Sequence, residues 1–199
     1  MELDLDLMKK SSSVEFPVTD IIEQRKSRRA YSSQPIEQEK ISSIFEAARW
    51  APSSMNEQPW VYVYATQDQP ALYKKIWKSL NESNQVWARH APLLVVSLIR
   101  KTLLQNGRVN GAAHYDAGAA NALLSLQATH LGLNVHQIGG YSKEILIHEL
   151  NVPDDYEPMV VIAIGYPGDP ESLPEHLKQR EQAKRERYTQ DFFVHNEAF

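Results

Sequence analysis

Hydrophobic positions change rhythm several times along this chain. Ile41, Ile44, Phe45 and Ala48 fall on one face of a helix, and Pro52 ends it. The run Trp60-Val61-Tyr62-Val63-Tyr64 is aromatic and β-branched and predicts a strand. Leu72, Ile76 and Leu80 return to helical spacing, in a segment entered through Asp68 and Pro70. Residues 93–99 form a continuous apolar run with Val at its centre, the pattern of a strand covered on both faces. Residues 112–131 are the longest helical candidate, and Gly132 supplies the stop. The many alanines in that helix leave little bulk, so another helix can approach closely, within the monomer or across a subunit boundary. Short strands follow at 135–138 and 159–164, with a helix over 142–150 between them. Strands interleave with helices around a central sheet, which defines an α+β layered domain.

The two ends differ from this middle. Residues 1–17 alternate acidic and apolar positions before turning serine-rich, and are read as an N-terminal leader. A short helix is expected from Thr19 or Asp20, carrying residues 25–29 at its C-terminal end. Residues 171–199 are highly charged, with Leu173 and Leu177 as apolar anchors and aromatics at Phe192, Phe193 and Phe199. Such a segment has too little apolar surface to fold on itself. It is either a frayed tail or an arm laid on another subunit. The domain proper is then 18–170.

Composition narrows the function. At 199 residues the chain suits one domain with a real core. Its net charge of −4 argues against general nucleic-acid binding, which calls for a basic surface. The absence of cysteine excludes disulfides, thiolate nucleophiles and Cys-ligated metal centres. The N-terminal residues lack the basic and apolar regions of a signal peptide, and no apolar run approaches membrane-spanning length. A soluble cytoplasmic protein is expected.

Two stretches carry candidate chemistry. Arg25-Lys26-Ser27-Arg28-Arg29-Ala30-Tyr31 concentrates four cations and a hydroxyl in its first five residues, suited to a phosphate group. Taken alone, it could equally be a solvated patch. Ala51-Pro52-Ser53-Ser54-Met55-Asn56-Glu57-Gln58-Pro59-Trp60 is uncharged but for Glu57 and offers amides and hydroxyls to a flat polar heterocycle.

In this order, separated by a helix, the two stretches resemble the N-terminal half of the nitroreductase family, FMN-dependent oxidoreductases that use NADH or NADPH. The resemblance recurs in Asn84 ahead of Ala91-Pro92, in the Ala/Leu-rich helix, in Gln137-Ile138-Gly139-Gly140, in Gly165-Tyr166-Pro167 and in Arg185-Glu186-Arg187. It implies a mostly antiparallel central sheet flanked by helices, in an intertwined homodimer whose C-terminal arm packs on the partner. It also implies hydride transfer from NAD(P)H through FMN to a nitroaromatic, quinone or similar acceptor, with ping-pong use of one slot.

The residue roles follow from the same resemblance. Arg25 and Ser27 would hold phosphate and ribityl oxygens, with Lys26 contributing locally and Arg29 toward the pyrimidine end of the ring. Asn84 would hydrogen-bond the flavin. Gln137, Ile138, Gly139 and Gly140 would lie along the ring, and Arg185 and Arg187 would complete the phosphate pocket. Pro52, Ser53, Ser54 and Asn56 would arrive from the partner subunit. Each also has an ordinary reading, as turn cap, bend or surface charge. Trp87 departs from the family pattern, standing where some members place a basic residue, and is expected to wall the substrate pocket.

No other machinery competes. The seven histidines are scattered, and no Gly-x-Ser-x-Gly, P-loop or Gly-x-Gly-x-x-Gly occurs. Hydride chemistry belongs to a cofactor, so no catalytic side chain is named. Two alternatives stay open: a flavin-binding dimer with a sensing or regulatory role, and a relative with different flavin chemistry, such as a dehydrogenase or dehalogenase.

Overall fold

The apolar run near the middle of the chain builds the centre of the molecule. In a computed structural model, which describes residues 9–196, it is strand β3 (Leu93–Arg100), whose side chains from Leu93 to Ile99 are all buried. Alternate residues face opposite ways, as the pleat requires. Leu94, Val96 and Leu98 enter one core, and Leu93 and Val95 enter another on the far side.

The other strands, here named in chain order, are β1 (Lys10–Ser11), β2 (Trp60–Thr66), β4 (Asn134–Ile138), β5 (Tyr156–Gly165) and β6 (Arg187–Tyr188). The main sheet has the order β2-β3-β5-β4, and all its pairings are antiparallel. β5 begins at Tyr156, three residues earlier than expected, and therefore contains Pro158. That proline sits opposite Leu98 at a register shift between Ser97 and Leu98, where a missing ladder N–H is tolerated.

Helices cover both faces. They are α1 (Asp20–Gln24), α2 (Gln38–Arg49), α3 (Pro70–Ser79), α4 (Glu82–Ala88), α5 (Ala113–His130), α6 (Lys143–Leu150) and α7 (Glu175–Gln182). α2 and α5 pack together on one face, where Ile41, Ile44 and Ala48 meet Ala120, Leu124 and Ala128. The small α5 side chains thus serve a close helix contact inside the monomer. Phe45 sits 5.4 Å from Tyr62 and 5.2 Å from Tyr64, closing α2 onto β2. α3, α4 and α6 cover the opposite face. Ser142 caps α6 by accepting from the Ile145 amide at 3.2 Å.

Two regions depart from the sequence pattern. α4 went unread because it has seven residues and only one well-buried bulky side chain, Trp87. The charged C-terminal segment is not idle surface. Leu173 and Leu177 are buried in the core shared with α3 and β3, so α7 borrows apolar area from its own chain. The chain then returns so that β6 pairs with β1, Lys10 opposite Tyr188. Residues 1–8 of the expected leader and the aromatic Phe199 of the expected arm lie outside the described residues.

Candidate functional site

α1 ends at Gln24, and residues 25–31 run irregularly beside edge strand β4. The Arg28 amide donates to the Lys26 carbonyl at 3.1 Å, a tight turn centred on Ser27. Asn134 Nδ2 donates to the Ala30 carbonyl at 3.2 Å, and His136 Nδ1 lies 3.0 Å from the Arg28 carbonyl. A carbonyl can only accept, so Nδ1 carries the proton of the neutral ring. Burial, together with Arg29, Arg180 and Arg25, pushes the His136 pKa down to about 4. Glycine is required at 165, where a Cβ would stand 2.4 Å from Pro92 and 2.9 Å from the Tyr31 ring.

This route gathers the predicted cations. Arg185 reaches back to donate to the Arg25 carbonyl at 2.6 Å and the Glu23 carbonyl at 2.9 Å. A pocket of about 260 Å³ is lined by Arg25, Lys26, Ser27, Arg28, Arg180, Lys184, Arg185 and Arg187, with Glu181 and Ala183 completing its wall. Partial burial and the charges of Arg185 and Arg187 lower the Arg25 pKa. Partial burial and Arg180 do the same for Arg29. Among the described residues, none of these guanidinium or ammonium groups has an ion-pair partner. Seven cations around a single carboxylate, itself bonded to backbone amides, fit a dianionic phosphate.

One carboxylate does sit nearby, and sequence reasoning missed it. Glu181 is buried, and its oxygens accept from the Arg29 amide at 2.9 and 3.2 Å and from the Ala30 amide at 3.4 Å. Its own carbonyl accepts from Arg28 Nη1 at 2.8 Å. Glu181 therefore fixes the backbone that carries Arg29. Part of its signal was available: Glu181 falls four residues after Leu177, which places an acid on the same face of α7 as that apolar anchor.

Asn84 on α4 meets Gly140. Its Nδ2 donates to the Gly140 carbonyl at 3.0 Å, which also accepts from the Asn81 amide at 3.0 Å. A Cβ on Gly140 would stand 2.5 Å from Asn84 Nδ2, so any larger residue there would push the Asn84 amide from its present position. Gly139 faces open space. Ile138 packs in the core, and Gln137 Nε2 donates to Ser125 Oγ at 3.0 Å and the Asn121 carbonyl at 3.2 Å. These two side chains are thus engaged inside the chain, and what residues 137–140 offer outward is main chain.

Pro52, Ser53, Ser54 and Asn56 lie elsewhere. Their loop leads into β2, the edge strand opposite β4, and roughly 14 Å of sheet separates the two edges at ~4.8 Å per strand spacing. Among the described residues no hydrogen bond joins this loop to 25–29 or 137–140; its partners are Asp116, Arg100 and Leu104. Met55, Asn56 and Gln58 have φ of 53°, 56° and 47°, left-handed values that side chains resist. Three clamps hold them. Ser54 N donates to the buried Asp116 carboxylate at 3.1 Å, and Gln58 N donates to Ser53 Oγ at 3.0 Å. Glu57, buried, accepts from Arg100 Nη2 and from the Leu104 amide, each at 3.0 Å.

Trp87 is a correction. It is 1 % exposed and lines no open pocket. Its ring packs 4.7 Å from His136 and 6.3 Å from Tyr31, and the Arg29 guanidinium lies over it at 5.8 Å. The indole thus fills the core behind the cation cluster and presents a π-face to Arg29.

The chain belongs to the nitroreductase family, whose model matches residues 22–166. It is similar to the FMN reductase [NAD(P)H] of Bacillus subtilis strain 168, at 29% identity over 184 residues covering 82% of this chain and 71% of that protein. Among solved structures, an oxidoreductase containing FMN superposes with a TM-score of 0.81 and 34% identity, over 85% of this chain and 86% of the other. An FMN-dependent nitroreductase from Clostridium difficile R20291 gives a TM-score of 0.64 and 26% identity, over 75% and 87% of the chains. The protein is an NAD(P)H-dependent oxidoreductase of this family. Among the described residues no helix is long and apolar enough to cross a membrane.

Proposed function

We propose that the protein binds FMN and uses it to pass hydride from a reduced nicotinamide to a small nitroaromatic, quinone or similar acceptor. The observation that carries this reading is the pocket in which Arg25, Ser27, Arg185 and Arg187 gather, its cations without an ion-pair partner among the described residues. Bound FMN would supply the hydride chemistry, and the chain's residues would hold and orient it. Arg25, Ser27 and Arg187 would take the phosphate, while Arg185 braces the backbone of Arg25. Arg29, seated between the Trp87 face and the Glu181-fixed backbone, would offset negative charge developing toward the pyrimidine end of the ring. One slot would serve donor and acceptor in turn, a ping-pong scheme.

The separation of the two motifs supports a homodimer in which each chain completes its partner's site with Pro52, Ser53, Ser54 and Asn56. Residues after β6, including exposed Phe193 and Val194, would form the arm toward the partner. Chromatography of the ligand released by heat, followed by anaerobic mixing of reconstituted protein with NADPH or NADH, tests the reading. FMN whose yellow colour bleaches and returns with an acceptor is the expected result. Absence of flavin binding, or flavin that neither nicotinamide reduces, would refute it.

A further inference from the structure

The basic pocket around Arg25 has a neighbour that the flavin reading does not use. A second cleft, of about 610 Å³, opens beside it and is lined by Ser12, Asp20, Glu23, Gln24, Lys26, Arg28, Lys184 and Arg185. Lys26, Arg28, Lys184 and Arg185 border both spaces and form the wall between them. One phosphate dianion in the inner pocket is matched by Arg25, Ser27 and Arg187 together with the Arg185 charge. Among the described residues Lys184 and Lys26 make no hydrogen bond or ion pair, and Arg28 uses one Nη1–H on the Glu181 carbonyl. The shared wall therefore faces the outer cleft with positive charge still uncommitted.

The residues that line only the outer cleft differ in character. Asp20 and Glu23 bring carboxylates, and Gln24 and Ser12 bring an amide and a hydroxyl. A bare anion would be served poorly by two carboxylates. A phosphorylated nucleoside suits both sets of groups, since its phosphate needs cations while its ribose hydroxyls and adenine amine need acceptors. The two possible hydride donors differ by one such group, the 2′-phosphate of NADPH.

Building on the flavin reading, we propose that the outer cleft receives the adenosine end of NADPH, with its 2′-phosphate held by Lys184 and Arg28, so that the enzyme prefers NADPH to NADH. Lys184 is exposed at the rim and is the natural probe, because replacing it leaves no buried group stranded.

The test uses FMN-saturated protein and the series Lys184→Gln and Lys184→Glu. The ratio of kcat/KM for NADPH to that for NADH should fall about fivefold in the first and more than about tenfold in the second, as expected for loss and reversal of one charge facing a phosphate, with the FMN affinity of each variant measured alongside because Lys184 also lines the inner pocket. Calorimetric titration gives a readout independent of turnover. Adenosine 2′,5′-bisphosphate should bind more tightly than adenosine 5′-monophosphate to the native protein, and Lys184→Glu should erase the difference. Equal use of the two nicotinamides, parallel loss of both in the variants, or inorganic phosphate binding as tightly as the bisphosphate would overturn the proposal. A protein that takes no flavin refutes the functional reading, yet the same titration still decides the outer cleft.

Discussion

The two motifs that stand out in this sequence are held in contrasting ways. Segment 25–29 has ordinary backbone and crowded charge: Arg25 and Arg29 are partly buried among other arginines, and Glu181 ties down the main chain rather than neutralising a guanidinium by ion pairing. Loop 51–59 is nearly uncharged but holds three residues in left-handed conformation, fixed by Asp116, Ser53 and the Glu57–Arg100 pair. One region stores electrostatic repulsion that an anion relieves. The other stores backbone strain of ~1–3 kcal/mol per residue, which the surrounding clamps must outweigh. On the proposed function, the first would receive a ligand and the second would present its own backbone and side chains.

The sharpest test of that division asks whether the regions of two chains make one site. Arg25→Ala should weaken FMN binding by about 1.5–3 kcal/mol, the range for a hydrogen bond to a charged group. Asn56→Ala should impair the site from the other side. After subunit exchange between the two variants, a mixed dimer places both lesions in one site and leaves the other intact, so activity should rise above either parent. Exchange verified by mass spectrometry without that rise would break the shared-site reading.

Next in size is the clamp of the loop. Glu57→Ala leaves the Arg100 guanidinium, 13% exposed, without its carboxylate, and should cost about 3–5 kcal/mol in denaturant unfolding. A cost below about 1 kcal/mol would show that the ion pair does not hold the strained loop.

The cation cluster predicts a pH response. Folding lowers the His136 pKa from 6.5 to about 4, so protonation favours the unfolded chain. The stability tied to neutral His136 is complete above pH ~6.5, is lost as pH falls from there toward ~4, and amounts to ~3 kcal/mol at 1.36 kcal/mol per unit. In His136→Gln this part of the acid slope should vanish. An unchanged slope relative to the native protein would place the acid sensitivity elsewhere.

The smallest effect addresses the strain directly. Met55 is exposed with φ of 53°, and Met55→Gly should stabilise the fold by ~0.5–1 kcal/mol as the left-handed backbone becomes unstrained. Destabilisation would mean that the Met55 side chain contributes more than its backbone costs.

Much of this was legible in the sequence. Periodicity located α2, α3, α5, α6 and the four main strands, because each buries a face whose spacing is set by the helix or the pleat. The order of cations, amides and glycines identified the family and named the candidate site residues. Only the tertiary structure decided which of them meet. Glu181 and Arg185 reach residues 25–30 from more than 150 positions away, and Trp87 became a core residue because α4 turns it behind Arg29. The left-handed values at Met55, Asn56 and Gln58 were hidden as well, since the clamps that impose them are long-range. Local pattern fixes which face of an element is buried, whereas charge crowding and strain depend on elements brought together by the sheet, which no local spacing encodes.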